Sequence, residues 1–239
     1  TMKYVLDSHT HTIASGHAYS TLHEMAKAAS DKGLELLGIT EHSMRMPGTC
    51  HEYYFQNMRI LPREMYGIEV MHGAEVNIMD LNGSLDMKQE LLEKMDVVVA
   101  SMHTPCLKAG SRQENTHAFI EAMKNPWVNI AGHPDDSRYP LDYLALVQAA
   151  KEFHVLLELN NNSLHPLGAR KDPLPNDVVM LKYCTEYQVP VILDSDAHTQ
   201  EDVRNHCFLA PLLEQMHFPE ELVVNRSVAE YKKFINRFR

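Results

Sequence analysis

Residues 6–12 read LDSHTHT and residues 193–199 read LDSDAHT, so nearly the same heptapeptide occurs close to both ends of the chain. Each copy begins with leucine, aspartate and serine and continues with two metal-binding side chains spaced two residues apart. These are His9 and His11 in the first copy and Asp196 and His198 in the second. Side chains at i and i+2 of a strand point the same way, so each pair can bind one ion. The repeat predicts two neighbouring strands whose ends meet at one metal site.

Seven apolar segments are typical of buried strands. They span residues 4–7, 36–40, 68–76, 97–101, 128–131, 155–159 and 191–194. Most of them are continuously apolar rather than alternating, which is the pattern of parallel strands covered on both faces. The sequence therefore predicts a parallel sheet buried between layers of helices.

Helical patterns lie between these strands. Thr21 and Glu24 form a capping box that starts the first helix, and Gly33 ends it. Further helices are predicted at 52–61, at 87–94, from 115 to before Pro126, from Pro140, at 177–187 and after Ser227. Strand followed by helix, seven times over, predicts an α/β barrel with outer helices. The usual closed barrel has eight strands, so seven predict a distorted, TIM-barrel-like (βα)7 barrel, with residues 1–239 in a single domain.

The composition argues against several classes of protein. Of 239 residues, 44% are hydrophobic, which is enough for a sizeable core, and no apolar stretch approaches the roughly 18 residues that span a bilayer. The four cysteines form no CxxC pair, so we interpret them as reduced thiols of a cytoplasmic protein. The formal net charge of −10 argues against a broad nucleic-acid surface. Neither a membrane nor nucleic acid is an expected partner, and the oligomeric state is left open.

Histidine is the unusual residue, with 15 in the chain. In parallel barrels the loops after the strands carry the active site, and six of the seven predicted strands end in a histidine or a carboxylate. With one further histidine after the first strand, nine candidate metal ligands result: His9, His11, His17, His42, Glu75, His103, His133, Asp196 and His198. The sixth strand ends in Glu158 and three asparagines, which are less typical of ligands. The remaining histidines are predicted to be structural or surface groups, with His165, in a rim loop, the strongest exception.

Nine ligands are too many for one ion at four- to six-coordination and suit three ions, with Glu75 or another group bridging. Imidazole-rich sites with few carboxylates favour Zn²⁺, and Fe or Mn²⁺ is also compatible. Three divalent ions with two carboxylates leave a charge of about +4. Such a pocket indicates an anionic ligand, and phosphate is the leading candidate.

Seven short motifs occur in a fixed order along the chain: DSHTHT, ASGHAYST, GITEHS, GAEVN, SMHTP, GHPD and DSDAHT. In this order they resemble the PHP (polymerase and histidinol phosphatase) family, and most closely its stand-alone YcdX-type phosphatases. The resemblance covers essentially the whole chain and implies a distorted (βα)7 barrel, a trinuclear metal site and phosphoester hydrolysis.

The resemblance also implies how the ligands are shared among the ions. One ion would be held by His9, His11, Glu75 and Asp196, a second by Glu75, His103 and His133, and the third by His17, His42 and His198. Two positions depart from the family pattern: Glu41 stands where an aspartate is usual, and Asp135 follows His-Pro where a small or amide residue is common. We expect Glu41 to face away from His42 and to support the ligands from behind.

The predicted mechanism is attack on phosphorus by a metal-bound hydroxide, because metal binding lowers the pKa of water from 15.7 to roughly 7. Six ligands share the catalytic role: His9, His11, Glu75, His103, His133 and Asp196. Substrate phosphate could be held by Arg59 and Arg63 after the second strand, or by Lys171 and its neighbour Arg170 after the sixth. Exposed basic residues are, however, more often simply solvated.

The sequence thus favours a metal-dependent phosphatase acting on small phosphomonoesters, with histidinol phosphate as one plausible substrate. A nuclease or phosphodiesterase acting on nucleic-acid ends is an alternative, against which the acidic charge argues. A metal-binding module without turnover is a third reading, against which the intact ligand set argues. A fourth alternative is hydrolysis of a C–N or lactone bond on a related metal-binding barrel. Such sites often use a carboxylated lysine at the end of a strand, and no lysine occupies a predicted strand end here.

Overall fold

Eight strands and eight α-helices make up residues 2–235, the part of the chain that this computed structural model describes. The strands are β1 Leu6–Asp7, β2 Leu36–His42, β3 Glu64–Met65, β4 Ile68–Asn77, β5 Val98–Ser101, β6 Ile130–Ala131, β7 Leu156–Asn160 and β8 Val191–Asp194. The helices are α1 Leu22–Asp31, α2 Glu52–Asn57, α3 Gln89–Leu92, α4 Arg112–Met123, α5 Tyr143–Phe153, α6 Pro173–Tyr187, α7 Leu209–Gln215 and α8 Val228–Ile235.

Seven of the strands form one parallel sheet in the order β1-β2-β4-β5-β6-β7-β8. Each strand pairs with its neighbour in parallel, as the continuous apolar segments predict. The extra strand, β3, is antiparallel to β4 and forms a hairpin with it. Tyr66 and Gly67, between the two strands, both have positive φ, which suits a two-residue hairpin turn. At two residues, β3 is too short for the apolar pattern to have indicated it.

The barrel is nearly closed between β1 and β8, which confirms the predicted seven-stranded barrel. The contact lies in the two heptapeptides, where Thr10 and Ala197 form a parallel bridge and the His11 N–H donates to the Ala197 carbonyl at 2.9 Å. Nearer the start of the strands, the Asn225 side chain accepts from the Leu193 N–H at 2.8 Å. It also donates to the Leu6 carbonyl at 3.1 Å, so one amide joins both edge strands.

Apolar side chains fill the barrel interior at the amino ends of the strands. Leu36, Val97 and Ile192 pack there, and Tyr231 and Phe234 of α8 join the same cluster. A larger cluster packs the outer helices against the other face of the sheet. The carboxyl ends of the strands carry the buried polar side chains instead. The side chains that could bind metal or substrate therefore lie at the carboxyl end of the barrel.

Helix boundaries follow the caps more closely than the apolar pattern. The predicted capping box of Thr21 and Glu24 is present at α1. The helix α4 begins at Arg112 rather than at 115, because Ser111 and Glu114 form a second capping box. The helix α5 begins after Asp142, whose carboxylate accepts the Ala145 N–H, and not at Pro140. Similarly, α6 begins with a proline at 173 rather than at 177.

The cysteines and the helix lengths agree with the sequence analysis. All four cysteines are free: Cys50, Cys106, Cys184 and Cys207. Among residues 2–235, no helix has both the length and the apolar character that crossing a bilayer requires.

Candidate metal centre

The Glu75 carboxylate, near the end of β4, lies at the centre of the histidines. Its Oε2 atom is 3.2 Å from His9 Nε2, 3.3 Å from His11 Nε2 and 2.9 Å from His42 Nδ1. Its Oε1 atom is 3.2 Å from His103 Nε2 and 2.9 Å from His133 Nε2. The two oxygens of one carboxylate therefore face two different groups of imidazoles.

Asp196 completes the group on the Oε2 side of this carboxylate. Its Oδ1 atom lies 3.2 Å from His11 Nε2 and 3.6 Å from His9 Nε2, and the two Nε2 atoms are 3.1 Å apart. All three side chains are buried. The two copies of the heptapeptide thus meet, as predicted, and the i, i+2 pairs point into one site.

Three further histidines lie beside this group, nearer to solvent. The His17 ring centre is 4.8 Å from that of His42 and 5.0 Å from that of His198, and the latter two are 6.0 Å apart. Ligand atoms of His42 and His198 also come within 4.8 Å of one on His11. The structure therefore brings all nine sequence-predicted ligands into one cluster.

The unsatisfied polar atoms of the cluster fit a bound metal. His42 Nδ1, Glu75 Oε2 and His103 Nε2 are buried, and despite their close approaches none of them makes a hydrogen bond of acceptable geometry among residues 2–235. Buried polar atoms are nearly always paired, so these three indicate a missing partner. Ligands at roughly 2.0–2.1 Å from a tetrahedral zinc lie about 3.4 Å from one another, close to the spacings around Glu75. The residues present fit divalent metal in both donor type and spacing.

The charges of the cluster already favour ionised carboxylates. Burial raises the pKa of the Glu75 carboxyl, but His9, His103 and His42 hold that pKa well below its ordinary value. The pKa of Asp196 is also held well below its ordinary value, because His9, His11 and Arg170 outweigh its burial. Both acids are therefore in the form that binds cations.

Glu158 of β7 supports the ligands from behind, a role that the sequence analysis missed. Its Oε1 lies 2.5 Å from His9 Nδ1, and its Oε2 accepts the His133 N–H at 2.5 Å. His133 has a φ of 27°, a strained backbone conformation that this hydrogen bond stabilises. Occupation of His9 Nδ1 leaves Nε2 for a metal. The sequence does contain one signal for this role: Glu158 is a single acidic residue within an otherwise apolar predicted strand.

Two more ligands have their second nitrogen held in the same way. His11 Nδ1 is 3.0 Å from the Ser15 hydroxyl, which donates to Glu41 Oε1 at 3.1 Å. His103 Nδ1 is 2.7 Å from Asn77 Oδ1. Glu41 therefore acts through Ser15, on the side of its strand that the sequence analysis expected.

A cavity of about 360 Å³ opens above the cluster. Arg170 lines it and donates to Asp196 Oδ2 at 3.0 Å and to Asn160 Oδ1 at 3.1 Å. His165 also lines the cavity, and its Nδ1 accepts the Leu167 N–H at 3.1 Å. The Arg170 guanidinium at the wall of this cavity is suited to bind a phosphoryl group.

The other basic candidates lie elsewhere. Arg59, just after α2, is exposed and donates to the Gln56 carbonyl of that helix. Arg63 pairs with Asp96, which precedes β5, at 3.0 Å. Lys171 is exposed beside the rim. Among the described residues, Arg170 lines the cavity and these three do not.

Comparison with known proteins agrees with this site. A profile of the PHP domain matches residues 7–162. A probable phosphatase from Clostridium novyi is 44% identical, in an alignment that covers 94% of this chain and 91% of that protein. A probable phosphatase from Acetivibrio thermocellus is 42% identical, over 99% of this chain and 97% of that protein. The fold resembles histidinol phosphate phosphatase from Lactococcus lactis, solved with zinc, L-histidinol and phosphate, with a TM-score of 0.62 and 20% identity over 90% of this chain and 92% of that one. The chain therefore belongs to the PHP domain family and, like these relatives, is a phosphatase.

Proposed function

We propose that this phosphatase hydrolyses small phosphomonoesters at a centre of three divalent ions, with zinc the best match to its donors. The observation that carries the proposal is the Glu75 carboxylate, which has five imidazole nitrogens within 3.3 Å. A carboxylate so surrounded is suited to bridge two ions rather than to form one ion pair.

The family resemblance implies how the ligands would be shared among the proposed ions. One ion would be held by Glu75, His9, His11 and Asp196, and a second by Glu75, His103 and His133. A third would be held by His17, His42 and His198, although His42 Nδ1 also lies 2.9 Å from Glu75 Oε2. This division uses every ligand once, apart from the bridging carboxylate.

Bound ions would supply an activated water at neutral pH and stabilise charge on the phosphoryl oxygens. The side chains of the protein orient the ligands and the substrate. Glu158, Ser15 and Asn77 hold the nitrogens of three histidines that face away from the centre, which fixes the ring orientation of each. The Arg170 guanidinium, anchored on Asp196, is placed to bind a phosphoryl oxygen at the cavity wall.

The size and charge of the site support a small substrate. A cavity of about 360 Å³ lies at the low end for small-molecule pockets and holds a phosphate with a modest leaving group. The Lactococcus lactis enzyme holds L-histidinol and phosphate with zinc on the same fold, so histidinol phosphate is one substrate to assay. The net charge of −10 argues against nucleic-acid ends.

The proposal is tested by turnover and metal content together. We expect hydrolysis of p-nitrophenyl phosphate well above that of its bis ester, and about three transition-metal ions per chain by elemental analysis. Faster turnover of the bis ester would instead favour a phosphodiesterase. Full metal content without turnover of either ester would favour a binding module. A content near one ion would refute the trinuclear centre.

Substitutions of single ligands give a second test, with a matched control. His9→Ala and Asp196→Ala each remove a buried ligand, so both should lose metal and turnover. His23→Ala also removes an imidazole, but His23 is exposed and pairs with the Tyr66 hydroxyl at 3.0 Å, away from the cluster. It should keep both properties. Normal turnover by Asp196→Ala would count against the assignment.

A further inference from the structure

The aspartate and the serine of each heptapeptide bind the other heptapeptide. The Ser8 N–H donates to Asp194 Oδ1 at 2.8 Å, and the Ser8 hydroxyl donates to the same atom at 3.2 Å. In return, the Ser195 N–H donates to Asp7 Oδ1 at 3.1 Å, and the Ser195 hydroxyl donates to Asp7 Oδ2 at 2.5 Å. The aspartate of each copy thus accepts the serine of the other. We call these four residues the seam clamp.

The seam clamp lies in the interior of the protein, where its hydrogen bonds matter most. All four side chains are buried, and Asp7 also accepts the Arg204 N–H at 2.8 Å. Low polarity around a hydrogen bond strengthens it. A buried acid side chain that lost its donors would be costly to keep. The two edges of the barrel are therefore joined by bonds that are expensive to break.

Backbone hydrogen bonds join β1 to β8 at few points along the seam. Within the described residues, β1 and β8 share no strand ladder, and their contact above the clamp is the single bridge between Thr10 and Ala197. The Asn225 side chain joins the strands below it. The seam clamp occupies the interval between these two contacts, where the other neighbouring strands have ladder hydrogen bonds.

The metal ligands follow the seam clamp directly in sequence. His9 is next to Ser8, and Asp196 is next to Ser195. A shift of one strand edge relative to the other would therefore move His9 and His11 away from Asp196. The ligand atoms of these three residues lie within 4.8 Å of one another across the seam, so their spacing depends on the register of the two edges.

We propose that the seam clamp sets the spacing of the metal ligands across the barrel seam, so that Asp7, Ser8, Asp194 and Ser195 are positioning residues for the metal centre. This inference rests on the proposed function, since it needs an ion shared by His9, His11 and Asp196. The repeated heptapeptide then has two parts. Its first half binds the opposite copy, and its second half supplies ligands to the ion between them.

The test is the Zn²⁺ affinity of Ser8→Ala, measured by competition with a chromogenic chelator. Ser8 does not line the cavity, so the variant leaves the substrate contacts in place. Partners behind metal ligands typically change metal affinity by roughly 10- to 100-fold, and we expect a loss of about 10-fold for one hydroxyl. Turnover of p-nitrophenyl phosphate should fall at limiting Zn²⁺ and recover with excess Zn²⁺.

Thr116→Val is the matched control. The Thr116 hydroxyl is buried too, and it joins two outer helices by donating to the Arg112 carbonyl at 2.6 Å and accepting the Asp142 N–H at 2.8 Å. Its loss should lower stability to a similar extent without changing Zn²⁺ affinity. Equal Zn²⁺ loss in both variants would show a general effect of destabilisation and overturn the proposal.

Two further outcomes decide the matter. Zn²⁺ affinity of Ser8→Ala within twofold of the wild type would overturn the clamp even if the wild type binds three ions, so this failure is distinct from failure of the proposed function. If Ser8→Ala does not fold, Ser195→Ala replaces it, because Asp7 would still accept the backbone N–H of residue 195; since Ser195 lines the cavity, this variant is judged by its Zn²⁺ affinity and not by turnover. An unchanged affinity in that variant would overturn the clamp in the same way.

Discussion

Replacement of Glu158 by glutamine tests whether an acid outside the ligand set controls metal binding. Both carboxylate oxygens are used: Oε1 faces His9 Nδ1, and Oε2 accepts the N–H of His133. Glutamine offers one acceptor oxygen and places an NH₂ donor at the other position. That donor would meet either the His9 N–H or the His133 N–H, so one of the two ligands must lose its partner.

The size of the effect follows from the loss of one such bond. A hydrogen bond to a charged group contributes about 1.5–3 kcal/mol. Since about 1.4 kcal/mol corresponds to a factor of ten, the loss corresponds to roughly 10- to 150-fold in an equilibrium constant. Both partners of Glu158 are proposed metal ligands, so we expect the loss in Zn²⁺ affinity. Turnover at limiting Zn²⁺ should fall in proportion.

Chelator competition measures the affinity, and Asp177→Asn provides the control. Asp177, on α6, is buried like Glu158, but its carboxylate has no hydrogen-bond partner among the described residues. Burial, with Asp135 nearby, raises its pKa well above the ordinary value, so an amide resembles its neutral form. This variant should bind Zn²⁺ normally. If Glu158→Gln binds Zn²⁺ within twofold of the wild type, Glu158 does not support the centre.

Three further predictions concern substrate, pH and packing. Arg170→Met should lower kcat/KM for p-nitrophenyl phosphate by about 100-fold, with partial recovery in Arg170→Lys; an unchanged value would exclude Arg170 from phosphate binding. Burial lowers the pKa of His206 to about 4, so as the pH falls the unfolded chain is protonated at this histidine before the folded protein is. The free energy of unfolding should therefore be fully retained above about pH 6.5 and fall by about 3 kcal/mol towards pH 4. Urea unfolding of His206→Gln should lack this loss. In Gly73→Ala the new Cβ would lie 1.9 Å from the Val97 carbonyl oxygen, so urea unfolding should show a loss of about 3 kcal/mol, and an unchanged midpoint would refute the close approach.

The sequence by itself determined the barrel and the ligand set, because both follow from local patterns. Seven apolar segments gave the seven parallel strands, since continuous burial requires cover on both faces. The candidate ligands could be named because parallel strands bring their carboxyl ends to one rim, so that a histidine or a carboxylate after most strands indicates a cluster. The i, i+2 spacing gave the direction of the paired side chains, as at His9 and His11.

Tertiary structure decided which side chains stand behind the candidate ligands and which of the predicted basic residues lines the cavity. Glu158 contacts His9 and the backbone of His133, which lie on other strands, and no spacing in the sequence encodes those distances. Arg170 and Lys171 are adjacent basic residues in one loop, yet only Arg170 points inward to Asp196. The physical reason is that periodicity fixes the direction of a side chain relative to its own element. The partner that it meets depends on how distant elements pack, and this packing is a property of the whole barrel.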